Sequence, residues 1–267
     1  IEEGAELSVN SGDSTNEYIY ENNKIKLENN LPDLCMESHF EYGLRSGFWR
    51  IIHLLDKYKL QVTFSCCSQA LERSPWLIKE ILDRGHEISA HGVKWVSHFN
   101  LSENEERKII NKCYNDIFKL TGKPPLGWHT RSATSINTRK LLLEHGGFLY
   151  DSNAYNDDLP YKVNFKNKSI IVIPYAFDTN DMRYESNGGF VQSDDFFIYC
   201  KGAFDQLLFE TKDEKLKMMS IGLHPRIIGR PGRINGLKKL LDYISISEKT
   251  WVAKREEIAK FWAGVKL

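Results

Sequence analysis

Gly85-His-Glu-Ile-Ser-Ala-His-Gly-Val-Lys-Trp-Val-Ser-His98 carries a short apolar run that ends on His91 and Gly92. A strand closing on a polar group and then a glycine is how α/β enzymes present chemistry at the carboxyl ends of parallel strands. A lone histidine has many structural uses, and a buried, hydrogen-bonded core residue is one of them. His91 is read as a site residue because of its company. Four other segments, around Glu2-Glu3, Trp128 to Arg131, Asn180-Asp181 and Leu223 to Arg233, also set polar or ionisable groups at or just after strand-like runs.

The flanks of this stretch decide the fold class. Upstream, Phe48, Ile51, Ile52, Leu55 and Tyr58 recur at helical spacing over 46–58, followed by a strand at 62–65. A second helix fits 75–84, with Gly85 as its stop. Downstream, the capping box Ser102-x-x-Glu105 announces a helix carrying Ile109, Ile110, Cys113, Ile117 and Leu120 until Gly122 and Pro124-Pro125 end it. Short strands at 127–129 and 148–150 flank a helix at 137–144, and Ile170 to Ile173 is a buried strand. A helix at 195–209, a strand at 218–224 ending on His224, and helices at 233–244 and 254–261 complete the series. About seven alternations of strand and helix predict an α/β fold of parallel strands with right-handed crossovers, closed as a distorted barrel. The length suits one domain over 1–267. Residues 7–34, rich in Asn, Ser, Asp and Glu, predict a polar, weakly structured excursion of the kind that covers a site or meets another subunit.

Acidic and basic residues balance at 36 each, so charge gives no reason to expect nucleic acid or an anionic membrane as partner. The five cysteines are odd in number and form no C-x-x-C motif, which fits thiols used as small apolar residues in a reducing, cytoplasmic setting. No signal-peptide pattern and no apolar run of about 18 residues is visible. Dinucleotide, nucleotide-phosphate and serine-hydrolase signatures are absent from the sequence.

The parts that remain suit attack of water on a carbonyl beside nitrogen. That reaction needs a base for the water's proton, donors for the oxyanion and an acid for the leaving nitrogen. Glu2 or Glu3 supplies the base, His224 the acid, and His91 with Arg131 the donors. Trp95 and Trp128 either wall a flat substrate or are core aromatics. Asn180 and Asp181 either read the edges of a small polar heterocycle or form an Asx turn. The Pro/Gly-stiffened loop after His224 offers Arg226 and Arg230 to a carboxylate or phosphate, or is simply solvated. A metal-water mechanism would want a second histidine four residues after His91, where Trp95 stands. His98 reads as a surface histidine ahead of the Ser102 cap.

These motifs together resemble the polysaccharide deacetylase (NodB homology) superfamily. The resemblance is carried by Glu2-Glu3-Gly4, Glu41-Tyr-Gly-Leu-Arg-Ser-Gly-Phe-Trp-Arg50, the His91 stretch, Gly127-Trp-His-Thr-Arg131 and Gly147-Phe-Leu-Tyr-Asp-Ser152. Asp157-Asp-Leu-Pro160, Ile173-Pro-Tyr175, Asp178-Thr-Asn-Asp-Met-Arg183, Gly222-Leu-His224 and Gly229-Arg-Pro-Gly-Arg233 complete it. Within the superfamily the chain looks most like the metal-independent, PuuE-type allantoinase branch. The resemblance implies a distorted seven-stranded β/α barrel that hydrolyses a non-peptide carbon–nitrogen bond. In the metal-dependent members an acid pair and an H-x-x-x-H motif supply the ligands. Here Glu2-Glu3 stand at the acid pair, His91 at the first histidine and Trp95 at the second, while His224 falls on the late catalytic histidine. Arg131 lies near the family's motif arginine, in a Gly-Trp-His-Thr-Arg-Ser form that differs from the Gly-Trp-Tyr-Thr-Gly-Arg associated with allantoinases. The implied activity is metal-free ring-opening of a small cyclic ureide such as allantoin. The alternatives are a metal-dependent deacetylase of N-acetylated sugars, with zinc through Glu3 and His91, and a silent sugar-binding barrel. A homo-oligomer, as large as a tetramer, is expected.

Overall fold

The structure, a computed structural model, describes residues 1–18, 30–185, 189–213 and 216–264. Contacts within the chain define two compact units. The sheet unit is built from Ile1–Ala5, Gln61–Pro174 and Val252–Leu267, and the helical unit from Glu6–Leu60 and Tyr175–Trp251.

In the helical unit, the polar excursion foreseen over 7–34 is ordered at both ends, and 19–29 lie outside the described residues. Its first part turns through a 3₁₀ helix at Val9–Ser11 and is tied down by its own polar side chains. Val9 N–H donates to Asn16 Oδ1 at 3.0 Å, Asn16 Nδ2 to the Leu31 carbonyl at 2.7 Å, and Ser8 Oγ to Glu37 at 2.5 Å. Helix α1 (Leu34–Tyr42) then starts on an Asp33 cap and runs through a π-helical turn at Gly43–Gly47 into α2 (Phe48–Tyr58). The sequence pattern predicted only the second of these helices. Gly43 and Gly47 lower the helical propensity of the connecting turn, yet both take right-handed helical dihedrals and the chain stays helical through it.

The sheet unit follows with β1 (Thr63–Cys66), α3 (Ser68–Arg73), α4 (Trp76–Leu82), β2 (Glu87–Ala90), α5 (Glu103–Thr121), β3 (Gly127–Trp128), α6 (Thr138–His145), β4 (Tyr150–Asp151), β5 (Tyr161–Phe165) and β6 (Lys168–Val172). The foreseen capping box forms: Ser102 accepts from Glu105 N–H, and α5 ends at Gly122 in the left-handed region. In the helical unit come α7 (Ser193–Glu210), α8 (Pro225–Ile228) and α9 (Ile234–Ser245), and α10 (Arg255–Gly264) returns to the sheet unit. The sheet order is β1-β2-β3-β4-β6-β5, parallel throughout except that β5 runs antiparallel to β6. The α/β class and the parallel sheet are those expected. Several elements differ from the sequence reading, which foresaw neither α3 nor the short α8. β5 was not foreseen, because an edge strand with every residue at least partly exposed leaves little apolar signal. The strand foreseen over 218–224 reduces, among the described residues, to a single parallel bridge between Gly222 and Asn180.

Register fixes where the chemistry goes. Cys66 pairs with Ala90, Ala90 with Trp128, Trp128 with Asp151, and Asp151 with Val172, one row across five strands. Backbone bonds extend the ladder one residue further, from His91 N–H to Cys66, His129 N–H to Ala90 and Ser152 N–H to Trp128, all at 2.9 to 3.0 Å. His91 and His129 are therefore neighbours by construction.

A buried polar cluster holds the loops beyond this row. Glu106 on α5, fully buried, takes hydrogen bonds from His98 Nδ1 at 3.1 Å, Thr138 Oγ1 at 2.5 Å and Ser135 Oγ. The surface position read for His98 is thus corrected: it is 1 % exposed and bonded to Glu106. Burial pushes the Glu106 carboxyl up, but its three donors outweigh that and hold it below the usual carboxylate range. Cys66, Cys67, Cys113 and Cys200 are free and buried, and burial raises their thiols, those of Cys113 and Cys200 to about 12. Among the described residues no helix is long and apolar enough to cross a membrane.

A depressed carboxyl contributes stability above its unfolded pKa and loses it as pH falls through the folded value. Glu106→Gln is therefore expected to destabilise the fold by about 3 kcal/mol at neutral pH, as for one partner removed from a buried pair. In urea unfolding the gap between wild type and variant should shrink as pH is lowered from about 7 to about 3. An equal gap at both ends would show that the carboxylate contributes nothing as a charge.

Candidate active site

The segment Ile1–Ala5 lies against the end of β1. The Ile1 carbonyl accepts from Cys67 N–H at 3.0 Å, and Ala5 N–H closes on the Glu2 carbonyl at 2.8 Å, with Gly4 at φ 90° making the turn. Gln69 Nε2 and Arg73 Nη1 hold the Gly4 carbonyl at 3.0 and 2.7 Å. Both acids of the pair are buried as a result, and Glu2 N–H donates to Glu3 Oε2 at 3.1 Å.

Glu2 meets His91. The imidazole Nδ1 lies 2.6 Å from the His129 carbonyl, which can only accept, so Nδ1 is assigned the proton. Nε2 is left facing Glu2 Oε1 at 3.5 Å, both side chains at most 7 % exposed. This contact becomes favourable when one proton sits between ring and carboxylate, which makes the two an acid–base couple shielded from bulk water. The His129 ring stacks on His91 with centroids 5.0 Å apart and planes 16° from parallel, close to the strand spacing of about 4.8 Å that sets it. His129 was not among the candidates read from the sequence. Its signal was its place one residue beyond a strand end, the same as that of His91.

Trp95 and Arg131 form the second contact of this unit. Trp95 is buried, its N–H donates to the Ala5 carbonyl at 2.8 Å, and the Arg131 guanidinium lies 3.6 Å from its ring centroid. Arg131 Nη1 also donates to the Trp95 carbonyl at 2.9 Å. Trp128 is sealed in the core instead, its indole N–H on Thr130 Oγ1 at 2.8 Å, which is the core-aromatic alternative.

The helical unit holds a dyad. Asp181 is fully buried: Oδ1 accepts from His224 Nδ1 at 2.6 Å, and Oδ2 accepts from His224 N–H at 2.7 Å and Ile228 N–H at 3.1 Å. One carboxylate thus starts α8 and sets the His224 tautomer, leaving Nε2 as the nitrogen that takes or gives a proton. The role read for Asp181 changes accordingly, because both of its oxygens are occupied in holding His224. Asn180 is an Asx turn, with Oδ1 on Met182 N–H at 2.9 Å and Nδ2 toward the Tyr175 hydroxyl at 3.3 Å. Arg226 is fully buried with its guanidinium 4.5 Å from the Phe40 ring, and Arg230 stacks on Tyr42 at 3.6 Å with Nη2 on His39 at 2.9 Å. Both arginines have structural contacts that the loop composition did not reveal. α8 comes so close to the π-helical turn that a Cβ at Gly47 would lie 1.9 Å from the Pro225 carbonyl oxygen.

Comparison with known proteins accords with this geometry. The polysaccharide deacetylase model matches residues 28–146. A relative from Schizosaccharomyces pombe named putative polysaccharide deacetylase is 38% identical over 250 residues, 88% of this chain and 78% of its own length. The chain belongs to the polysaccharide deacetylase family. Two solved structures resemble this chain over 98% of its length and 87% of theirs, each at 39% identity. One is a PuuE allantoinase, with a TM-score of 0.91, and the other a probable polysaccharide deacetylase from Pseudomonas aeruginosa PAO1, with a TM-score of 0.90. The family includes hydrolases acting on carbon–nitrogen bonds, and the fold matches that of these neighbours.

The metal that the resemblance associates with part of this polysaccharide deacetylase family does not fit the residues present. Among the described residues no group of three His, Cys, Asp or Glu side chains is placed to hold a metal ion. Trp95 offers no donor at the position where an H-x-x-x-H motif would place its second imidazole.

Asp181→Asn replaces one acceptor oxygen by a donor, so the side chain cannot serve all three N–H groups that the carboxylate serves. Nitrogen-15 NMR of His224 is expected to show the proton moved from Nδ1 to Nε2. Turnover should fall by about 10²- to 10⁴-fold, by analogy with wrong-tautomer variants of other acid–histidine pairs. An unchanged tautomer would remove Asp181 from this role.

Proposed function

We propose that this hydrolase opens a small cyclic ureide such as allantoin, without a metal, by general acid–base attack of water. The observation that carries the reading is the buried Glu2–His91 couple, together with Trp95 at the position where an H-x-x-x-H motif would place its second histidine. Likeness to an allantoinase over 98% of the chain supports it.

In this reading the Glu2 carboxylate takes a proton from water as its oxygen bonds to the ring carbonyl carbon. His91, held by the His129 carbonyl, faces that carboxylate through Nε2, and the contact is favourable when one proton lies between them. The carbon–nitrogen bond then breaks and the leaving nitrogen is protonated, a step assigned to His224 Nε2 on the family resemblance and on the tautomer that Asp181 sets. Glu3 beside Glu2 is the reserve acid of the pair. A second reading, release of acetate from an N-acetylated sugar, is favoured by the names of relatives, among them a peptidoglycan deacetylase of Helicobacter pylori at 26% identity. A homo-oligomer in the cytoplasm, working in purine catabolism, belongs to the first reading.

Chelator-treated protein incubated with allantoin is expected to yield allantoate at a rate that added zinc does not raise. Glu2→Gln and His224→Ala should each lower that rate by about 10²- to 10⁴-fold. Failure with allantoin, together with zinc-dependent acetate release from N-acetylglucosamine oligomers, would replace the first reading by the second.

A further inference from the structure

The sheet unit carries a fixed cation among the turns that hold its acid–base couple. Those turns are bonded in series: Glu2 to His91 at 3.5 Å and Ala5 to Trp95 at 2.8 Å join the first to the second. His91 to the His129 carbonyl at 2.6 Å and Arg131 to the Trp95 carbonyl at 2.9 Å join the second to the third. Arg131 is therefore placed by the same contacts that place the base.

Its position is enforced. The guanidinium carbon lies over the Trp95 indole, 3.6 Å from its centroid, where cation and ring face attract. Immediately after it, Ser132 adopts φ 53°, the left-handed region that a residue with a Cβ rarely enters, and Ala133 N–H turns back onto the Arg131 carbonyl at 2.6 Å. The Ala133 carbonyl accepts from His98 N–H at 3.0 Å, and His98 is anchored on buried Glu106. Backbone strain of this kind persists where the surroundings over-determine it, and it gathers at working sites. Ser135 and Thr138, on the same loop and the start of α6, also bond to Glu106, so the loop presenting Arg131 is braced from behind.

We propose that Arg131, laid on Trp95, is the electrophile of this site, supplying from a side chain the positive charge that a metal would otherwise bring to the carbonyl under attack. The proposal rests on the hydrolytic reading above and gives it the group that it lacks. A guanidinium keeps its charge across the working pH range and presents N–H donors in a rigid plane, so it can hold an oxyanion without exchanging a proton. In the balanced step, the water oxygen bonds to the carbonyl carbon, the water proton passes to Glu2, and the carbonyl π pair moves to the oxygen facing Arg131. Collapse re-forms the carbonyl, breaks the carbon–nitrogen bond and leaves the pair on nitrogen, which takes a proton. Trp95 then has a positive task, as the surface on which the cation is held, and the same fixed cation repels a divalent ion.

Two measurements test this. The first is zinc taken up per chain after dialysis against zinc chloride, for wild type, Trp95→His, Arg131→Ala and the double variant, with circular dichroism melts to confirm folding. Wild type and Trp95→His are expected to take up essentially none, and the double variant, with an imidazole gained and the cation removed, about one per chain. A full zinc equivalent in Trp95→His alone would overturn the proposal. The second keeps Trp95 intact and so does not depend on that variant folding. Arg131→Ala should lose about 10²- to 10³-fold in kcat on allantoin with KM changed much less, Arg131→Lys should retain part of the rate, and millimolar guanidinium chloride should restore turnover to Arg131→Ala saturably. Wild-type turnover in Arg131→Ala, or a folded, inactive Arg131→Ala that guanidinium does not rescue, would overturn the proposal. If wild type itself leaves allantoin untouched, the ureide reading fails, and zinc uptake still decides the role of the cation.

Discussion

The hydrogen bond from His91 Nδ1 to the His129 carbonyl is the constraint on which the sheet unit's chemistry depends. It exists because β2 and β3 are paired in parallel with Ala90 opposite Trp128, so that the next residue on each strand comes up beside the other. A shift of that register by one residue would turn the side chain of the shifted strand to the opposite face. The bond then decides the tautomer, and the tautomer decides which nitrogen meets Glu2. A single backbone pairing thus sets the protonation chemistry of a side chain more than one bond away.

The helical unit arrives at a related solution by other means. There the ring is oriented by a carboxylate rather than a carbonyl, and Asp181 is fixed by the backbone N–H groups of His224 and Ile228 that it caps. A buried carboxylate with three N–H donors has its desolvation cost offset where it is incurred. The close contact of Gly47 with the Pro225 carbonyl and Gly229 keeps α8 seated on the π-helical turn, where any side chain larger than a hydrogen atom would push it away. Packing and protonation are in this way the same problem.

The two histidine sites also differ in what surrounds them. The turns that hold His91 also bring together a stacked imidazole, an indole and a guanidinium. One fold carries different sites in this way, because the strand ends that hold the functional groups are short and their loops are free to change.

Local signals in the sequence determined a good deal. Apolar spacing at Ile110, Cys113 and Ile117, the Ser102 capping box, and apolar runs ending on a polar residue and glycine act over a few residues and were readable without the fold. They located most helices, the parallel strands and the residues Glu2, His91, Arg131 and His224. What only the tertiary structure decided were pairings between residues far apart in the chain. Examples are Glu2 with His91, Trp95 with Arg131, His98 with Glu106, and Asp181 with His224. Composition treats a buried Arg226 and a solvated arginine alike, and it gave His129 no more weight than any other histidine. Strand register and loop closure bring such partners together, and these depend on the summed burial of the whole unit rather than on any one stretch of chain.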